Sequence, residues 1–190
     1  ESVGLAPWPV ETIKTFIGNG SRKLMERALQ QRMDRFEEAY RTLRSVYEQT
    51  MLENTRLFPG VRELLDALQD RKMALLSNKP QQYCEPIVKA LGIRPHLSLV
   101  VGGDTRPMKK PDPEPLFYIC ELLRVDPRAT VMIGDSPVDV ETGKRAGAFT
   151  IGLTDGFTPP KEIQEASPDL VLPRVADLMP YLHPLKLPAP

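Results

Sequence analysis

Apolar and polar positions alternate in two different ways along this chain. From Val10 to Met51 the apolar side chains recur every three or four residues, through Ile13, Phe16, Ile17, Leu24, Met25, Leu29, Met33, Phe36, Tyr40, Leu43 and Tyr47. That spacing predicts helix, and no strand is expected before residue 70. Gly18-Asn19-Gly20-Ser21 interrupts it, with glycine closing one helix and Ser21 able to cap the next. After "RLFPG" the pattern changes to short apolar runs at 73–76, 97–101, 130–133, 149–153 and 170–172. Between them lie helical patterns at 61–70, 81–91, 113–123, 137–146 and 174–182. Strands separated by helices of that length imply βαβ units, a parallel sheet and right-handed crossovers.

The expected fold class is therefore α/β, a doubly wound parallel sheet of Rossmann-like form with a small α-helical cap. Residues 1–55 would form a partial cap, 56–183 the core and 184–190 a loose tail, with the join at 55–59. Ligands of such sheets bind at the carboxyl ends of the strands.

Composition narrows the function classes. With 190 residues and 41% hydrophobic side chains the chain can bury a core for one or two domains. Lysine plus arginine equals aspartate plus glutamate at 25 each, so no overall field draws nucleic acid or an anionic membrane, and neither is expected as a partner. No window approaches the roughly eighteen apolar residues of a membrane span, and the N-terminus lacks the build of a signal peptide. Cys84 and Cys120 have no metal-ligand spacing and read as buried thiols of a reducing compartment. A soluble, cytoplasmic monomer or homodimer is expected. The 20 prolines are about twice the usual share, and five of them lie after residue 172, which is why the end reads as a tail.

Three strand ends carry complementary polar groups. The run at 73–76 leads into Ser77-Asn78-Lys79, the run at 130–133 into Gly134-Asp135 with Asp139 beyond, and "MKKPDPEPL" sets Lys109 and Lys110 before a helix start. A hydroxyl and an amide can hold phosphate oxygens, a lysine can neutralise them, and two carboxylates can hold Mg²⁺, which prefers oxygen ligands. Together they make a phosphoryl-transfer site. Each piece also has a structural reading. Ser136, Pro137 and Asp139 fit N-cap, N1 and N3 of a helix, Ser77-Asn78 fits a turn, and Lys109-Lys110 fits a solvated pair. Their occurrence in this order on successive strand ends favours the chemical reading.

"LLSNKP", "KKPDPEPL" and "VMIGDSPVDVETGKRAGA" resemble the second, third and fourth motifs of the haloacid dehalogenase-like hydrolases. "FIGNGSRKLMERAL", "TRLFPGV", "VVGGDT" and "IGLTDGF" are similar to the phosphoglycolate phosphatase branch, which carries a small helical cap. The resemblance implies a Mg²⁺-dependent phosphomonoester hydrolase working through an aspartyl-phosphate on a small phosphorylated metabolite, with 2-phosphoglycolate the first substrate to test. It implies that Ser77 binds the transferring phosphoryl group, Asn78 supports that loop and Lys110 orients the nucleophile. Asp135 would ligate Mg²⁺, with Asp139 in or just outside its first shell. Gly18, Asn19, Gly20, Ser21 and Arg22 would face the substrate, with the alternative that 18–21 is a plain helix-helix turn.

The family's first motif, DxDGT, supplies the nucleophile and the general acid/base, and this sequence contains no DxD. The opening strand of the fold is thus expected to be missing from the sequence given, leaving a sheet without a central member and with unpaired edges. Alternatives stay open: a phosphatase of sugar phosphates, nucleotides or pyrophosphate, a phosphomutase, or a truncated non-catalytic binding protein. A phosphonate hydrolase would need a cap lysine such as Lys14 or Lys23 as Schiff base, and a receiver domain would lack the helical insert. The absence of GxxxxGK[ST] excludes a P-loop enzyme.

Overall fold

The computed structural model describes residues 4–30 and 32–181. The tail expected at 184–190 lies outside the described residues. The N-terminal part is helical, with α1 (Val10–Lys14), α2 (Ser21–Leu29) and, after a 3₁₀ turn at Met33–Arg35, α3 (Phe36–Thr50). Met25, Leu29, Phe36 and Ala39 form its buried centre, with Leu5, Tyr40 and Leu43 packed against them. The Trp8 indole N–H donates to Ala28 O at 2.9 Å, tying the segment before α1 onto α2. Ser21 does not cap α2. It is the first helical residue, the cap position is Gly20, and the serine hydroxyl instead meets the Tyr40 hydroxyl at 2.9 Å.

Beyond residue 56 the chain runs α4 (Val61–Ala67), β1 (Ala74–Leu76), α5 (Gln81–Ala90), β2 (Leu99–Val101), α6 (Glu114–Leu123), β3 (Val131–Gly134), α7 (Pro137–Ala146), β4 (Phe149–Leu153), α8 (Pro160–Glu165) and β5 (Leu170–Leu172). Every apolar run expected as a strand carries one, with β3 reaching one residue past its run, to Gly134. The segment expected as a helix at 174–182 is instead a 3₁₀ helix, Val175–Tyr181, with Pro180 inside it. Pro180 has no N–H to donate and so breaks the run of backbone bonds that a regular helix over 174–182 would need.

All strand pairs are parallel, but the sheet is in two pieces. β1 pairs with β2, Ala74 opposite Leu99, and β3, β4 and β5 pair in that order, Val131 opposite Phe149 and Ile151 opposite Leu170. Among the described residues β1 and β3 each keep one edge without a strand partner. Helix α6 holds the pieces together. It packs on β1, β2 and α7, and Leu116 and Cys120 form a buried cluster with Ala146 and Ala148 that Leu76 joins. A second cluster, Leu64, Ile151, Leu172, Val175 and Leu178, covers the three-stranded piece, and a third, Cys84, Val88, Ile93, Leu97 and Val100, covers the two-stranded one. Each such side chain contributes about 1.5–3 kcal/mol when fully buried. The carboxyl ends of β1 and β3 therefore meet at one rim of the fold. Among the described residues no helix is long and apolar enough to cross a membrane.

Candidate active site

The loop after β1 is built by its own polar groups. Ser77 N–H donates to Val101 O at 2.9 Å, extending the pairing with β2 by one bond, and the Ser77 hydroxyl oxygen accepts from Lys79 N–H at 3.1 Å. Asn78 is only 8% exposed, and its amide nitrogen donates to Lys110 O at 2.9 Å and to Gly18 O at 3.0 Å. Two carbonyl partners require the NH₂ on that side, so the amide orientation is determined. Its oxygen has no partner among the described residues. Gly103 backs the loop, because a Cβ there would collide with the Asn78 backbone.

The two lysines of the pair separate. Lys109 reaches the cap, donating to Asn19 O at 3.0 Å. Lys110 turns inward, donating to Leu76 O at 2.8 Å and to Asp139 Oδ1 at 2.6 Å, with both side chains about one-tenth exposed. One ammonium thus joins the end of β1 to the first turn of α7, across the two pieces of the sheet. Burial makes such a charge-assisted pair strong in geometry, since neither partner has much water to turn to.

After β3, helix capping and the carboxylates divide their tasks. Ser136 is the N-cap, its hydroxyl oxygen accepting from Val138 N–H at 3.1 Å, and Pro137 opens α7. Asp139 does not reach back to the cap, because its side chain is bonded to Lys110. Gly134 lets it in, since a Cβ at that position would collide with the Asp139 carboxylate. Asp135 Oδ2 accepts from Phe157 N–H at 3.2 Å, and Gly156 is the position that admits it, since a Cβ there would strike the same oxygen. The loop at 155–157 therefore orients Asp135, which spacing did not reveal. A backbone N–H donor leaves no mark in a sequence, although Asp155-Gly156 is a turn signal that marks the loop.

Asp135 and Asp139 offer oxygen donors only, which suits Mg²⁺, and each retains one carboxylate oxygen outside the bonds just described. Among the described residues no group of three or more His, Cys, Asp or Glu side chains gathers. A cation here would rest on these two carboxylates, water and oxygens of a bound phosphate, the pattern Mg²⁺ favours. The residues fit that ion.

The cap loop meets the core through its backbone. Gly18 and Gly20 have φ of +117° and +90°, values that side chains disfavour, and this turns the carbonyls of Gly18 and Asn19 toward Asn78 and Lys109. A Cβ at Gly20 would already lie 3.3 Å from Asn78 O. The Asn19 side chain turns into the cap, accepting from Arg27 at 2.7 Å. Arg22 lies over Phe36 and Tyr40 at 4.7 and 5.1 Å from the ring centroids and pairs with Glu37 at 3.1 Å. Ser77, Asn78, Lys110, Asp135 and Asp139 thus converge with the cap-loop backbone at one rim, while the Asn19 and Arg22 side chains point into the cap. Lys79 and Tyr47, which sequence reasoning did not single out, also meet at this cap-core joint.

A family model described as haloacid dehalogenase-like hydrolase matches residues 1–147. The chain belongs to the haloacid dehalogenase-like hydrolases. Among relatives of this haloacid dehalogenase-like hydrolase, the phosphoglycolate phosphatase of Psychrobacter arcticus is 34% identical over 192 residues, covering 95% of this chain and 84% of that one. The phosphoglycolate phosphatase of Escherichia coli K12 is 35% identical over 196 residues, covering 90% and 78%. The crystal structure of a predicted phosphoglycolate phosphatase from Haemophilus somnus superposes with a TM-score of 0.89 at 31% identity, covering 95% of this chain and 85% of that one.

Proposed function

We propose that this hydrolase cleaves the P–O bond of a small phosphomonoester, and that 2-phosphoglycolate, yielding glycolate and orthophosphate, is its substrate. The observation that carries the proposal is the Lys110 ammonium, held between Leu76 O and Asp139 where the three polar loops converge. The likeness to curated phosphoglycolate phosphatases over most of the chain supports the choice of substrate.

In this reading Ser77 donates its hydroxyl hydrogen to a phosphoryl oxygen, since the hydroxyl oxygen is already an acceptor for Lys79 N–H. Lys110 offsets negative charge on phosphate and nucleophile. Asn78 does not touch substrate; it holds the loop by bonding Lys110 O and Gly18 O. Asp135 and Asp139 would hold Mg²⁺, which offsets the repulsion between an attacking carboxylate and the phosphate dianion. The sequence given has no DxD, so no residue of it is named as the attacking carboxylate, and Lys110 is the group that would offset that carboxylate's charge. The carboxylate attacks phosphorus, the ester P–O bond breaks and the leaving glycolate oxygen takes up a proton; water then attacks phosphorus, giving up a proton as the aspartyl P–O bond breaks, and orthophosphate leaves.

The test is phosphate release by the protein as encoded by its gene, with Mg²⁺ and with EDTA, from 2-phosphoglycolate and a panel of sugar phosphates and nucleotides. Mg²⁺-dependent release with the highest kcat/KM on 2-phosphoglycolate is expected. Higher kcat/KM on a sugar phosphate would overturn the substrate, and no release from any ester would overturn the activity.

A further inference from the structure

Lys79, unlike Lys109, bonds a side chain of the helical part and not its backbone. Its backbone is fixed: N–H to Ser77 Oγ, and the carbonyl accepting from Gly103 N–H at 2.8 Å and the Cys84 thiol at 3.5 Å. Its side chain leaves the core and meets α3 of the cap, donating to the Tyr47 hydroxyl with the ammonium 4.4 Å from that ring's centroid. No carboxylate among the described residues lies within ion-pair distance of it, whereas Lys14, Lys23, Lys110 and Lys161 each have one. Tyr47 is itself held in place, edge-on to Tyr83 at 5.1 Å, and Tyr83 donates to Glu48 at 3.1 Å.

The location of this pair is informative. Tyr40 and Tyr47 lie seven residues apart on α3 and so share one face, two turns from each other. Tyr40 bonds Ser21 at the end of the cap loop, and Tyr47 bonds Lys79 two residues beyond Ser77. That face of α3 therefore roofs the loop that would hold the phosphoryl group. The pair has a definite hydrogen-bonding character. Two ammonium N–H groups and the phenol O–H remain available after the lysine has bonded the tyrosine oxygen. Such a set of donors, with a cation at its centre, matches a carboxylate, which only accepts.

We infer that Lys79 and Tyr47 bind the second anionic group of the substrate, a carboxylate carried close to the phosphoester, and so select phosphorylated small acids over esters with neutral arms. The inference rests on the phosphatase reading and adds to it which groups choose the substrate.

The experiment compares 2-phosphoglycolate with ethyl phosphate, which has the same length and a methyl group in place of the carboxylate. In the protein as encoded, Lys79→Met is expected to lower kcat/KM for 2-phosphoglycolate about 10- to 100-fold, the range of a charge-assisted contact. It should change ethyl phosphate turnover less than about threefold on the same argument, since that ester never touches the ammonium. Lys79→Arg should restore part of the preference, and Tyr47→Phe should give a smaller, equally selective loss. An equal fall for both esters would overturn the inference, because it would mean that Lys79 fastens the cap or the loop. No fall for either would overturn it too. If the parent protein hydrolyses neither ester, the phosphatase reading fails. Calorimetric titration of parent and Lys79→Met with 2-phosphoglycolate and orthophosphate then decides the inference, and an unchanged ratio of the two dissociation constants would reject it.

Discussion

The Lys110 ammonium lies 2.6 Å from Asp139 Oδ1, and neither side chain has more than about a tenth of its surface in water. Removing one partner leaves the other buried without a counter-charge. Lys110→Met is therefore expected to destabilise the fold by about 3–5 kcal/mol, on the scale of other broken buried pairs. Chemical denaturation of the parent and the variant checks this, and a midpoint unchanged by the substitution would show that water reaches the pair.

Asp135 and Ser136 are adjacent and should respond oppositely. Ser136 carries the cap of α7, so Ser136→Ala should cost about 1 kcal/mol of stability. Asp135 caps nothing, and Asp135→Asn should leave the unfolding midpoint within experimental scatter while abolishing Mg²⁺-dependent phosphate release. Retained turnover in Asp135→Asn would remove Asp135 from the metal site.

Gly134 and Gly156 each make room for an aspartate, and at either position an added methyl would collide with that side chain down to its Cβ, which a rotamer change cannot remove. Gly156→Ala and Gly134→Ala should therefore each cost about 1–3 kcal/mol of stability and lose turnover, since Asp135 or Asp139 is displaced. Thermal unfolding and phosphate release on the two variants check this, and an unfolding midpoint unchanged in either would show that the loop yields without cost.

Asp169 holds the turn before β5 against β4. Its carboxylate accepts from the Thr150 hydroxyl at 2.7 Å and from Thr150 N–H at 2.8 Å, and the hydroxyl bond above all keeps its pKa below the usual carboxylate value. A carboxyl group more acidic in the folded than in the unfolded state adds stability above its unfolded pKa, about 3.9, and that addition vanishes as pH falls through the lower folded value. The stability advantage of the parent over Asp169→Asn should accordingly be full at pH 6 and fade as the pH drops below about 4. Unfolding midpoints of both proteins across pH 3–6 would show it, and a difference independent of pH would assign the effect to packing.

The strands were legible because each is a short apolar run bounded by turn residues, and β4 and β5 occupy 149–153 and 170–172 as the runs did. The division of the helices was less so. Ser21 has the chemistry of a cap, yet Tyr40, nineteen residues away, captures its hydroxyl, and no local pattern contains that contact. Residues 174–182 have helical periodicity, but Pro180 alters how they hydrogen-bond. At the site, residue type and order located Ser77, Lys110, Asp135 and Asp139 on successive loops. They did not show that Lys109 and Lys110 face different ways, nor that Phe157 N–H orients Asp135, because both depend on distances between segments far apart in sequence.

Asn78 gives the cap a resting place. Its two amide hydrogens are shared between a cap carbonyl, Gly18 O, and a core carbonyl, Lys110 O. Lifting the cap strands one buried N–H, a loss of about 1–3 kcal/mol unless water follows it in. A loss of that size is an equilibrium factor of about 5 to 160 against separating the two carbonyls. The contact lies in the core loop itself, so separation of the Gly18 and Lys110 carbonyls would be resisted from beside Ser77 and not only at the join expected at residues 55–59.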